Sequence, residues 1–299
     1  MTTIRAFIKS HPLLSYFALT FAISWGGVLI VVGGPSGIPA TSKEQHETLF
    51  PLALLAMAAG PPVAGLLLTG LVYGRAGLRE LRSRLLRWRV GARWYAVALL
   101  TAPLVFTGAL FALSLTSSEY LPGILTSDDK VSVLLMGIFA GLVAGIFEEL
   151  GWTGFAVPTL LRRMRYGVLA TGLIVGLPWA VWHFLVNIWA SGVTSGGLSV
   201  AIYLPVILFS ILVGSLVPYR VLMVWVYDRT GGSLLVAMLM HMSYTASTLI
   251  LLPLAIALLP FGLTYGLVLT AALWVVVAVV ALANHGHLTR QPPLRRRVA

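Results

Sequence analysis

Of the nine carboxylates and six histidines in this 299-residue chain, four stand inside apolar stretches: Glu148, Glu149, His183 and His241. An ionisable group in hydrocarbon is costly, so each is a candidate for function. Carboxylates and imidazoles exchange protons near neutral pH, and together they can activate a water or hold a divalent metal. The remaining histidines, His11, His46, His285 and His287, fall at ends or in loops and read as solvated surface. There is no cysteine, which excludes disulfides, thiolate metal sites, a cysteine nucleophile and palmitoylation on this chain.

Spacing gives each candidate a setting. Glu148 and Glu149 close the apolar run 131–147, in which Gly137, Gly141 and Gly145 recur every four residues. On a helix these glycines form a groove that admits a neighbouring helix closely. At about 100° per residue, Glu148 falls within that groove and Glu149 at its edge, so both should face protein. His183 ends the segment Pro178-Trp179-Ala180-Val181-Trp182-His183, with Trp179 one turn earlier on the same face. A histidine in that setting could equally be a packing residue bonded to a carbonyl. His241 shares a helix face with Tyr244, Thr245 and Thr248. Threonines that bond back to their own helix would explain the hydroxyls of this stripe but not the imidazole.

The elements that must position these groups are transmembrane helices. Hydrophobic residues make up 59% of the chain and charged ones 10%, against about 25% charged in soluble domains. The bilayer must be the solvent. Stretches long enough to span, about 20 residues each, occur at 13–33, 50–73, 94–115, 131–157, 170–192, 200–225, 231–253 and 261–283. The expected fold is therefore all-α and polytopic, a single membrane domain over 1–283 followed by a basic, disordered or surface-bound tail over 284–299. The first stretch follows Arg5 and Lys9 as a signal peptide would, but it is too long for one and reads as a retained span. At about 1.5 Å per residue, Glu148, His183 and His241 fall near the middle of their spans.

Charge placement sets the orientation. Of the 20 lysines and arginines, all but Lys43 and Lys130 fall on one side if the N-terminus, the 74–93 and 158–169 loops, the 218–230 region (Arg220 and Arg229) and the C-terminal tail share it. The positive-inside rule makes that side cytoplasmic, with both termini there, in the cell membrane. The net charge of +11 is thus a topology signal, and nucleic acid is not an expected partner. Between 75 and 93, Leu78, Leu81, Leu85 and Trp88 recur at helical spacing with arginines on the remaining face. This predicts an amphipathic helix at the cytoplasmic interface, in contact with membrane lipids.

Glu148-Glu149-Leu150-Gly151-Trp152-Thr153-Gly154-Phe155, the segment ending in His183, and the later His241 lie in order on three spans. In this they resemble the CPBP family of intramembrane proteases, which includes the type II CAAX prenyl endopeptidases and bacterial relatives tied to bacteriocin self-immunity. The resemblance covers about residues 75–250. It implies about eight transmembrane helices, a cavity open to the cytosol, and hydrolysis of a peptide bond in a membrane-associated protein or peptide by an activated water. It further implies Glu148 as general base with Glu149 beside it, His183 working with that glutamate, and His241 binding metal or stabilising the oxyanion. Members are usually called metalloproteases, so a zinc ion held by Glu148, His183 and His241 is expected from the resemblance. Two positions depart from the family pattern. Thr153 stands where EExxxR has its arginine, so a charge that would steady the carboxylates is missing. Thr245 stands where HxxxN has its asparagine; a hydroxyl donates one hydrogen bond, whereas an amide donates two and also accepts. Trp179 in place of a frequent Phe reads as mild.

Two other classes compete with an endopeptidase. A non-catalytic scaffold or immunity-type protein would keep the fold, and the Thr153 and Thr245 departures favour it. A proton- or ion-coupled transporter could use a carboxylate–histidine relay, although the chain shows no inverted repeat.

Overall fold

In hydrocarbon every backbone N–H and C=O must be paired within its own segment, which makes helices of the long apolar runs. The structure, a computed structural model, describes residues 2–195, 198–253, 256, 261–284 and 288–289. A short α1 (Thr2–Ser10) precedes α2 (Pro12–Val32), α3 (Lys43–Leu85) and α4 (Ala92–Ser114). One turn, α5 (Gly123–Thr126), leads into α6 (Lys130–Gly151), which continues through wider π-helical turns at Trp152–Ala156 and Thr159–Arg163. The next span is α7 (Val168–Trp182) and α8 (Phe184–Thr194), separated at His183. α9 (Val200–Pro205) runs through π-helical turns at Val206–Val213 into α10 (Gly214–Arg229). α11 (Leu234–Leu251) and α12 (Phe261–Ala283) follow. Among the described residues there is no strand, and eight helical stretches are long and apolar enough to cross a membrane. They coincide one for one with the eight expected spans, so the protein is an all-α, multi-pass membrane protein.

Some boundaries move. The fourth span runs on to Arg163 and the sixth to Arg229, because helix continues past the last apolar residue. The amphipathic helix expected over 75–93 stops at Leu85. Gly74, with φ 64° and ψ −157°, breaks the path of α3 where the span gives way to the interfacial stretch, a conformation glycine adopts without steric cost. Beyond Leu85 the chain leaves the helix, and the carbonyl of Arg87 accepts a hydrogen bond from the Ser233 hydroxyl at 2.7 Å. Trp88 is exposed outside the helix, with the Arg89 guanidinium 5.1 Å from its ring centre. The tail expected over 284–299 lies, apart from Asn284, Leu288 and Thr289, outside the described residues.

Close approaches between helices bring the ionisable groups together. The glycine groove of α6 receives α11: a Cβ on Gly141 or Gly145 would stand 2.5 Å from the carbonyl oxygen of Met242 or Met238. α7 lies as tightly on α10, where a Cβ on Gly172 would stand 2.6 Å from the Cα of Val221. α6 also packs on α3, and α11 on α4. Trp152, Trp179, Trp182 and Trp189 are fully buried at the centre, and so is one arginine, Arg220.

Candidate active site

The last turns of α6 carry both glutamates inward; Glu149 is wholly buried and Glu148 nearly so. Their surroundings differ. Glu149 Oε1 accepts from His241 Nδ1–H at 2.7 Å, and its Oε2 accepts from the Arg220 guanidinium at 2.7 Å and from the Thr153 hydroxyl. Three donors thus occupy this carboxylate, two of them from other helices. Glu148 accepts one hydrogen bond, from the Trp179 indole N–H to Oε2 at 2.7 Å, and none at Oε1 among the described residues. The two adjacent glutamates are therefore unequal: Glu149 has three of its about four acceptor sites filled, whereas Glu148 has one filled among the described residues and keeps the others for a further partner.

Both imidazoles have one nitrogen committed. A carbonyl oxygen only accepts, so the 2.8 Å contact between His183 Nδ1 and the Trp179 carbonyl puts the proton on Nδ1 and leaves Nε2 as an acceptor. His183 sits at the break between α7 and α8, where the amide of Asn187 donates to its carbonyl at 2.9 Å. A carboxylate likewise only accepts, so His241 carries its proton on Nδ1 toward Glu149, and its Nε2 faces Glu148 Oε2 at 3.8 Å. That gap is too long for a hydrogen bond.

Trp179 is the hub. Its ring centre lies 5.1 Å from that of His241 and 5.9 Å from that of His183, and the Arg220 guanidinium stacks over it at 3.9 Å. Glu148, His183 and His241 thus meet around one indole, and Glu149 joins them through His241 and Arg220. Thr245, one turn after His241, is half-buried, and its hydroxyl makes no hydrogen bond among the described residues. Thr248 bonds back to the Tyr244 carbonyl at 3.0 Å, as threonines in helices commonly do, and Tyr244 shares a 2.6 Å hydrogen bond with Ser215.

Two residues matter here that spacing does not flag. Charge placement counts Arg220 among the topology charges of the 218–230 region; the structure puts it inside α10, with no exposed surface, paired to Glu149 and 3.4 Å from the Thr153 hydroxyl. An arginine near the end of an apolar run looks like a topology signal unless its counter-charge, 71 residues away, is known. Its position nevertheless answers the first departure, because a cation steadies Glu149 although position 153 is threonine. The second residue is Trp179: where a Phe would only pack, the indole supplies the one donor that Glu148 has.

The metal expectation can be tested against this arrangement. Among the described residues, no three His, Asp or Glu side chains gather closely enough to hold a metal ion. Each histidine commits Nδ1 to a carbonyl or carboxylate, as metal-bound imidazoles also do, and keeps Nε2, while Glu148 keeps Oε1.

Fold and site together define a multi-pass helical membrane protein with a buried carboxylate–imidazole centre. Known proteins narrow that class. The family model described as type II CAAX prenyl endopeptidase Rce1-like matches residues 130–247, which contain all four ionisable residues and Arg220. CAAX prenyl protease 2 of Methanococcus maripaludis is 26% identical over 182 residues, 59% of this chain; the match spans 62% of that relative's length. Both findings support the assignment of this chain to the CPBP family that its three motifs carry.

Proposed function

We propose that this protein is an intramembrane endopeptidase whose water is activated by Glu148 and His183. The observation that carries the reading is the inequality of the two glutamates: one is locked in a buried network, and its neighbour is held by a single indole N–H with an oxygen to spare. In the proposed step, a water donates hydrogen bonds to Glu148 and to His183 Nε2 and attacks the scissile carbonyl carbon. Its proton passes to Glu148, the carbonyl oxygen becomes an oxyanion, and the tetrahedral species collapses as that proton moves to the leaving amide nitrogen. The Thr245 hydroxyl would donate to the oxyanion, and so would His241, fixed by Glu149, when its Nε2 also carries a proton. Arg220 and Thr153 hold Glu149, and thereby the imidazole of His241.

No step is routed through a metal, because among the described residues no three of these side chains gather around one point. Metal analysis of detergent-purified protein tests this directly: well below one zinc per chain is expected after chelator treatment, with cleavage retained. About one tightly held zinc, lost in Glu148→Gln, His183→Ala and His241→Ala without unfolding, would instead make those three residues ligands.

The scaffold reading loses one of its two supports, because Arg220 supplies the charge absent at position 153. The substrate class we propose is a membrane-associated peptide or protein, approached from the arginine-rich side, which we assign to the cytoplasm. A panel of transmembrane and C-terminally prenylated peptides in vesicles, read by mass spectrometry, tests cleavage. Glu148→Gln should reduce it by about 10²–10⁴-fold with an unchanged unfolding curve; equal cleavage by this variant would overturn the assignment.

A further inference from the structure

A cavity of about 320 Å³ opens between α3 and the π-helical turns that prolong α6. Tyr73, Glu80, Arg84, Thr159, Arg162 and Arg163 are among its lining residues. None of them belongs to the Glu148–His241 cluster.

Its polar groups are short of anions. Glu80 is the carboxylate among the lining residues, against three guanidinium groups. It is paired with Arg162 and lies 3.8 Å from Arg84 Nε. Arg84 is only 5% exposed; its Nη1 donates to the Tyr227 hydroxyl at 3.0 Å, while its Nε makes no hydrogen bond. A buried guanidinium N–H without a hydrogen-bond partner is costly to leave that way. Arg163 donates from Nη2 to the Lys9 carbonyl at 2.6 Å, a neutral acceptor, and forms no ion pair among the described residues. The hydroxyls of Tyr73 and Thr159, 3.1 Å apart, add donors on the same wall.

The flanks of the cavity have a different character. Leu78 of α3, and Met164 and Tyr166 just past Arg163, are exposed large apolar side chains. Leu86 and Trp88, beyond the end of α3, are exposed as well. This end of the molecule carries the arginine-rich span ends, where hydrocarbon meets headgroups. Cations set inward with apolar side chains around them match the layering of a phospholipid, phosphate above and acyl chains beside. The volume suits a headgroup and is too small for a whole lipid.

We infer that this cavity binds the phosphate headgroup of an anionic phospholipid from the arginine-rich leaflet, with Arg84, Arg162 and Arg163 directed at the phosphate. Guanidinium groups suit phosphate oxygens because their N–H fork matches two oxygens at once. The site is independent of the proteolytic reading and stands whether or not the chain cleaves peptides.

The test uses the full-length chain in detergent, titrated with phosphatidylglycerol or phosphatidylcholine and read by native mass spectrometry. One phosphatidylglycerol per chain should be retained in preference to phosphatidylcholine. The double variant Arg162→Gln/Arg163→Gln should weaken retention by about thirtyfold, roughly fivefold per arginine. The control variant Arg89→Gln/Arg93→Gln, which removes charges from the same side but outside the cavity, should leave it unchanged. Unfolding curves matching the wild type show that both variants are folded. Equal retention of the two lipids, or an equal loss in the control, would overturn the site in favour of diffuse surface attraction. Displacement of the lipid by millimolar inorganic phosphate, with phosphate itself then retained, would overturn the lipid and leave a soluble phosphate site. Displacement by a peptide C-terminal carboxylate but not by phosphate would overturn both.

Discussion

Glu149 and Arg220 face one another with no exposed surface on either side chain. Removing one partner of such a pair strands the other charge, at a cost of about 3–5 kcal/mol. Arg220→Met should therefore lower the unfolding temperature in detergent and reduce cleavage. Thr153 offers a second way to supply the same charge, since its hydroxyl touches both members of the pair. Adding Thr153→Arg to Arg220→Met should recover part of both losses; a double variant no better than the single one would show that Arg220 does more than hold Glu149. The Trp179 indole makes a separate prediction. Trp179→Phe keeps a ring between the histidines but removes the one donor to Glu148 among the described residues, and a hydrogen bond to a charged group contributes about 1.5–3 kcal/mol. kcat should fall at least tenfold with KM little changed, whereas unchanged kinetics would make the indole a packing residue. The four ionisable residues were legible in the sequence because polar groups in hydrocarbon stand out. Arg220 was not, because its meaning depends on a partner on another helix, and neither was the inequality of two adjacent glutamates.

At the scale of elements, the repeat Gly137, Gly141, Gly145 told the sequence reader which face of α6 would be covered, but not by what. The structure supplies the partner, α11, and so explains why His241 reaches Glu149. Gly145→Leu should push α11 away, destabilise the protein by about 1–3 kcal/mol and abolish cleavage. Gly108→Leu on α4, where an added Cβ meets nothing within 4 Å, should do neither. Thermal unfolding beside a cleavage assay checks both; equal sensitivity at the two positions would mean that the groove is not what sets the site. Span positions were legible from hydropathy because the bilayer dictates length. The end of α3 at Leu85 was not, since the leucine spacing continues to Trp88, whereas in the structure the Arg87 carbonyl lies outside the helix and accepts from the Ser233 hydroxyl. The π-helical turns after Glu149, which hold Thr153 beneath that carboxylate, also have no signature in the residue pattern.

For the molecule as a whole, the arrangement is a bundle in which α6, α7, α10 and α11 each bring one part of a buried polar centre into an apolar surround. The orientation of that bundle is open to a clean experiment, because the chain contains no cysteine to interfere. Ser83→Cys on the arginine-rich side should resist a membrane-impermeant maleimide in intact cells, and Thr126→Cys in the opposite loop should react; the reverse pattern would invert the topology. The central claim concerns which carboxylate does chemistry, and one comparison tests it most directly: single-turnover cleavage of a vesicle-bound peptide by Glu148→Gln and Glu149→Gln, each with its unfolding curve. The account predicts that Glu148→Gln is folded as stably as the wild type and does not cleave, while Glu149→Gln is destabilised by the stranded Arg220 and keeps residual cleavage wherever it remains folded. A stable, inactive Glu149→Gln beside an active Glu148→Gln would contradict it and move the general base to the other glutamate.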